Sequence, residues 1–171
     1  MLLPAGFVAI ISLLGVQAGP DEKSERLTAF EKEMKDRPGE ALAIARRAVG
    51  VLGSDEKRLY GLAVQEQQKI LPTLGLAQVT ELAEVLEKKL DDPQGGRRIR
   101  IVWLQQRGRG LSPSEVRLLL GPPQRIAYQL IYRQQIEQWA YEASPKLWAV
   151  FIYTDNHVQR LQKVHSAPLD K

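Results

Sequence analysis

The chain has 171 residues, 44% of them apolar and 26% charged, a length that fits one domain or a small domain with a helical appendage. It contains no cysteine, which excludes a disulfide framework, a thiolate-held zinc or iron–sulfur centre, a thiol nucleophile and a lipidated N-terminal Cys. The formal charge of +4 is uneven: residues 21–93 carry 12 Lys/Arg against 15 Asp/Glu, whereas residues 97–171 carry 12 against 5.

Residues 1–18 hold no charged side chain, and Val16-Gln17-Ala18 places small residues where a signal peptidase needs them. This predicts an export signal cleaved after Ala18. An uncleaved membrane anchor is the alternative reading, because the run is near the lower limit of a spanning length.

Residues 22–92 read as three to four amphipathic helices. Leu27, Phe30 and Met34 recur at helical spacing, as do Ala41, Ile44, Ala45, Ala48 and Leu52. Gly53 ends the second run, and Ser54-Asp55-Glu56 restarts the pattern with a cap and two acids near the positive end of the helix dipole. Leu76, Val79, Leu82, Ala83, Leu86 and Leu90 give the cleanest stripe. Asp91-Asp92-Pro93-Gln94-Gly95-Gly96 has the composition of a linker. It coincides with the change of charge sign, so a boundary is expected there.

Beyond it, residues 97–165 predict a small α+β domain. Ile99, Val102 and Trp103 suggest a short helix, with a strand over residues 99–104 as the alternative. Ser112-Pro113-Ser114-Glu115 is a capping box with proline at the first helical position. Gly121 supplies a residue of positive φ, and Pro122 forbids continuation. Three or four antiparallel strands follow, over residues 126–133, 136–142, 147–153 and 157–164. Asp155-Asn156 is the expected hairpin turn, the last strand an edge, and residues 166–171 a tail.

Eight arginines and one acid, Glu115, lie within residues 97–133. A rigid guanidinium fork suits carboxylate or phosphate, so an acidic partner is one reading and a merely solubilising basic face the other. Arg107, Arg109, Arg125, Tyr128, Tyr132 and Arg133 are the candidate partner-binding residues. Trp139 and Tyr141 are expected in the core. Catalytic chemistry is not expected: the only histidines are His157 and His165, no cluster has metal-ligand spacing, and no nucleophile elbow, P-loop or dinucleotide fingerprint occurs. No cofactor or metal is expected.

The run from Leu111 through Ser112, Glu115 and Val116 to Leu120-Gly121-Pro122-Pro123, then Gln138-Trp139-Ala140-Tyr141, Leu147–Phe151 and Asn156-His157-Val158, resembles the BamE (SmpA/OmlA) domain of outer-membrane-protein assembly. β-Lactamase inhibitory proteins share that architecture. The resemblance covers about a third of the chain and implies an αα-βββ fold, an envelope location and a protein-binding scaffold without catalysis. The chain departs from the family in having no cysteine to acylate and His157 where glycine is usual. The expected function is therefore an exported, non-enzymatic binding or envelope-assembly module with an acidic protein partner, close to a membrane in one variant of the reading. Polyanion or nucleic-acid binding by the arginine-rich half, which export disfavours, and a helical scaffold anchored by the sheet are the alternatives. Oligomeric state is left open.

Overall fold

The computed structural model describes residues 20–141, 146–153 and 159–167; the expected signal segment and its Ala18 site, the Asp155-Asn156 turn and His157 lie outside them. Six α-helices lead into an antiparallel sheet: α1 Pro20–Asp36, α2 Ala41–Leu52, α3 Glu56–Lys69, α4 Leu76–Lys89, α5 Pro93–Arg107 and α6 Pro113–Leu120. The strands are β1 Arg125–Ile131, β2 Gln134–Tyr141, β3 Lys146–Tyr153 and β4 Gln159–Ala167, in spatial order β1-β2-β3-β4. The fold is thus mixed α+β, with six α-helices among the described residues: four in the region read as three to four, and two beyond it.

Each helix buries its apolar stripe against near neighbours in sequence. α1 packs on α2 and α3, α2 on α3, α3 on α4, and α4 on α5. Met34, Leu59, Val79 and Leu82 are fully enclosed. Gly53, with φ 63°, ends α2 in the left-handed conformation that glycine adopts without penalty. The restart differs from expectation: Asp55 rather than Ser54 is the N-cap of α3, it has φ 62°, and no side-chain cap bond forms.

The segment read as a linker is instead the start of α5. The Asp92 carboxylate accepts the Gly95 N–H at 2.8 Å, satisfying one of the backbone donors left open at a helix start. Gly96 then meets α4 so closely that a Cβ would stand 2.8 Å from the Ala83 carbonyl oxygen. A Cβ at Gly95 would instead strike the capping Asp92 carboxylate, so Gly95 makes room for the cap and Gly96 for close helix approach. Residues 99–104 are helical, and Ile99, Trp103 and Leu104 point into the core, where the Trp103 indole donates to the Leu74 carbonyl at 2.9 Å.

One apolar cluster runs from Met34 through α5 to Val116 and Leu119 of α6 and on to Trp139, Tyr141 and Leu161 of the sheet. The core is continuous across the segment where a boundary was expected. β1 ends at Ile131, two residues earlier than the alternation suggested, and Tyr132-Arg133 form the turn, with φ 49° and 66°. β4 extends to Ala167, past the start of the expected tail.

Candidate functional site

β1 is the edge on which exposure concentrates. All seven of its residues are exposed. Register sorts them by face: Ile126 lies opposite Trp139, Tyr128 opposite Glu137 and Leu130 opposite Gln135. Directly paired residues share a face, so these three continue the row that carries the buried Trp139 and Tyr141 on β2. That row is buried on β2 from Glu137 to Tyr141 and open on β1. Ile126 is 40% exposed, Tyr128 62%, Leu130 76%, and Tyr132 in the turn 97%.

The backbone follows the same parity. A two-residue loop makes Ile131 and Gln134 the closing hydrogen-bonded pair, so alternate residues back to Arg125 bond to β2. The N–H and C=O groups of Ile126, Tyr128 and Leu130 therefore face away from the sheet. The opposite edge is treated differently. There the α5–α6 connection reaches β4: Gly110 N–H donates to the Leu161 carbonyl, and Leu161 N–H donates to the Leu111 carbonyl, both at 2.8 Å. At Leu161 that edge is paired by the chain itself.

The six candidate residues consequently do not form one surface. Arg125 points to the face opposite Tyr128, Tyr132 and Arg133 occupy the turn, and all four belong to the β1 edge. Arg107 and Arg109, both exposed, flank the loop that covers β4, three strand spacings or roughly 14 Å away. Adjacency in sequence put them together, and the meander separates them.

Behind the open edge the sheet is pinned by polar contacts. The Trp139 indole donates to Glu137 Oε1 at 2.6 Å, and the Gln159 amide donates to Glu137 Oε2 at 2.7 Å, joining β2 to β4. Tyr141 Oη donates to the Gly121 carbonyl at 3.2 Å. Burial pushes the Tyr141 phenol up to about 12, with Arg117 pulling the other way. α6 itself is bounded locally. The Ser112 hydroxyl accepts the Glu115 N–H at 3.3 Å while the Ser112 N–H donates to the Glu115 carboxylate at 2.7 Å. That backbone donor, followed by the Ser112 hydroxyl, holds the Glu115 carboxyl below the usual carboxylate range. Gly121 has φ 79° and ψ −171°, a conformation essentially reserved for glycine rather than the left-handed helical one expected, and Pro122 follows it.

Some arginines are engaged within the chain. Arg100 grips the Glu87 carboxylate with both terminal nitrogens, and Arg117 lies over Trp139. Glu87, Arg97 and Arg100 line a cavity of about 460 Å³ with Leu118 to Gly121, where the start of α5 meets the end of α6. Among the described residues no three His, Asp or Glu side chains stand together as a metal ion would require, and no helix is long and apolar enough to cross a membrane.

Ile126, Leu130 and Arg117 were not among the expected site residues. Their signal was available only in part: a strand directly after Gly121-Pro122-Pro123 opens the meander and so lies at its margin. Compared with models of known protein families, with curated proteins and with solved structures, the chain matches none.

Proposed function

We propose that this chain is an exported, non-enzymatic protein-binding module of the cell envelope, in which a helical array carries a BamE-like sheet unit. Its β1 edge, with Arg125, Tyr128, Tyr132 and Arg133, receives a protein partner with an acidic surface. The observation that carries the reading is the pairing of exposed apolar side chains with unbalanced positive charge. Between Glu115 and Glu137 the chain carries Arg117, Arg125 and Arg133 and no acid. An apolar row rimmed by arginines has the composition of a recognition surface. Charge of one sign makes an acidic partner the complementary one.

The test begins with envelope fractions, from which the immobilised protein captures partners that are then purified and titrated individually. Tyr128→Ala, Tyr132→Ala and Arg133→Ala are expected to weaken the authentic interaction by ~10-fold or more each, and added salt to weaken it further. An affinity indifferent to all three changes discards this edge. A mature N-terminus at Gly19 in an envelope fraction supports export, and an intact Met1 in the cytoplasm counts against it.

A further inference from the structure

We infer that β1 takes up its partner as an added strand: an extended acidic segment pairs along Arg125–Ile131 and becomes the fifth strand of the sheet. This rests on the binding role just proposed and specifies how the edge is used.

The backbone argument comes first. Ile126, Tyr128 and Leu130 present three outward N–H and C=O pairs in a row, and the same residues carry the exposed side chains on the helix side of the sheet. An incoming strand thus finds main-chain partners and an apolar shelf for alternate side chains at the same positions, which is the geometry of strand addition. The pairing of β1 with β2 runs from Arg125 to Ile131 without a register shift, and irregularity enters only before it, where the Gln124 N–H reaches the Ala140 carbonyl at 3.0 Å.

Proteins guard such edges with lysine, proline, inward charges or covering segments. Residues 125–131, Arg-Ile-Ala-Tyr-Gln-Leu-Ile, contain no Lys, Pro, Gly, Asp or Glu. The chain does engage its other edge at Leu161, by the Gly110 and Leu111 bonds. An unguarded, fully exposed edge opposite one that the chain engages is suited to docking a strand.

Charge selects the occupant. Arg125 stands at the start of β1 and Arg133 in the turn beyond its end, and nothing acidic lies on β1 or in that turn. A segment of about seven residues, roughly 23 Å long when extended, spans the strand. Carboxylates at both of its ends would meet the two arginines, and small apolar residues between them would lie against Ile126, Tyr128 and Leu130. A second copy of β1 fits less well, because edge-to-edge pairing brings its own arginines to a margin that already holds Arg125 and Arg133.

The full-length protein is titrated with the end-blocked peptide Glu-Val-Thr-Val-Thr-Val-Thr-Val-Glu, with a version whose terminal residues are Lys, and with a version N-methylated at alternate residues. The expected result is binding of the acidic peptide, ~10-fold or more weaker binding of the Lys version, and loss with N-methylation. Amide exchange at Tyr128 and Leu130 should slow in the complex by ~10-fold or more. Leu130→Pro removes one outward N–H at an edge position that tolerates proline, so it should bind more weakly than Leu130→Ala. Unchanged exchange at Gln129 and Ile131 shows the hairpin is intact in both.

If Tyr128→Ala weakens binding while Leu130→Pro matches Leu130→Ala and the outward amides stay unprotected, strand addition is overturned and the protein-binding reading stands. If the variants of the preceding section leave the captured partner untouched, that reading fails on its own. Concentration-dependent dimerisation abolished by Leu130→Pro assigns the edge to a second copy. Uptake by anionic phospholipid vesicles without peptide binding assigns it to a lipid surface. Either result overturns the proposal.

Discussion

The guanidinium carbon of Arg117 lies 4.6 Å from the centre of the Trp139 ring, so the last helix before the sheet is clamped to the strand behind the open edge. Arg117 is exposed and Trp139 buried, which makes the arginine the lid of the ring. Arg117→Ala is expected to lower stability by about 0.5–2 kcal/mol. Arg117→Lys should fall between, because an ammonium keeps the charge but not the planar stack. Urea unfolding followed by tryptophan fluorescence measures both, and equal midpoints for all three proteins would refute the clamp.

The buried phenol of Tyr141 ties stability to alkaline pH. Its folded pKa is raised to about 12, against about 10 for an unperturbed tyrosine. Over that window the folded state holds the proton more tightly than the unfolded chain. Tyr141 therefore contributes its full stabilisation below pH ~10 and loses it progressively as pH rises toward ~12. Tyr141→Phe removes the bond to the Gly121 carbonyl, costs about 1 kcal/mol at neutral pH, and should flatten the alkaline decline. Unfolding midpoints for the two proteins across that range decide the matter.

What could be read ahead of the structure follows from how local the determinant is. The bounds of α6 are set by stereochemistry within a few residues: Ser112 and Glu115 satisfy each other's backbone, and Gly121 and Pro122 stop the helix. Such features are legible in any chain. The start of α5 misleads because Asp-Asp-Pro-Gln-Gly-Gly has the composition of a linker, while its role is set by Gly96 meeting Ala83 on another helix. The candidate residues divide for a similar reason. Arg107 and Arg125 are near in sequence, but the order of four strands sends them to opposite edges. Tyr128 was a candidate because Arg125 and Arg133 stand near it in sequence; its exposure depends on its place in the open edge strand.

The two ends of α6 should respond independently to mutation. Ser112→Ala removes the N-cap acceptor and is expected to cost about 1 kcal/mol. Glu115, held below the ordinary carboxylate range, contributes stability that is present at neutral pH and lost as acid protonates it. Ser112→Ala should therefore also shrink the acid-side loss of stability. Gly121→Ala forces a Cβ into φ 79°, ψ −171°, at a cost of about 1–3 kcal/mol. Thermal unfolding should show near-additive losses in the double variant; a strongly non-additive pair would mean the ends are coupled through the sheet.

On the proposed binding role, the Tyr132-Arg133 turn sets stability against recognition. Positive φ at both residues matches the two-residue hairpin turns that favour Asn-Gly, and neither a tyrosine nor an arginine is comfortable there. Replacing the pair by Tyr132→Asn with Arg133→Gly relieves that strain and is expected to stabilise the hairpin by about 1–2 kcal/mol. The same change removes the most exposed aromatic side chain described and one of the three arginines between Glu115 and Glu137. Partner affinity should consequently fall while the melting temperature rises. That trade of stability for affinity is what the proposed binding role predicts. A variant that gains stability and keeps full affinity would show that Tyr132 and Arg133 serve neither end.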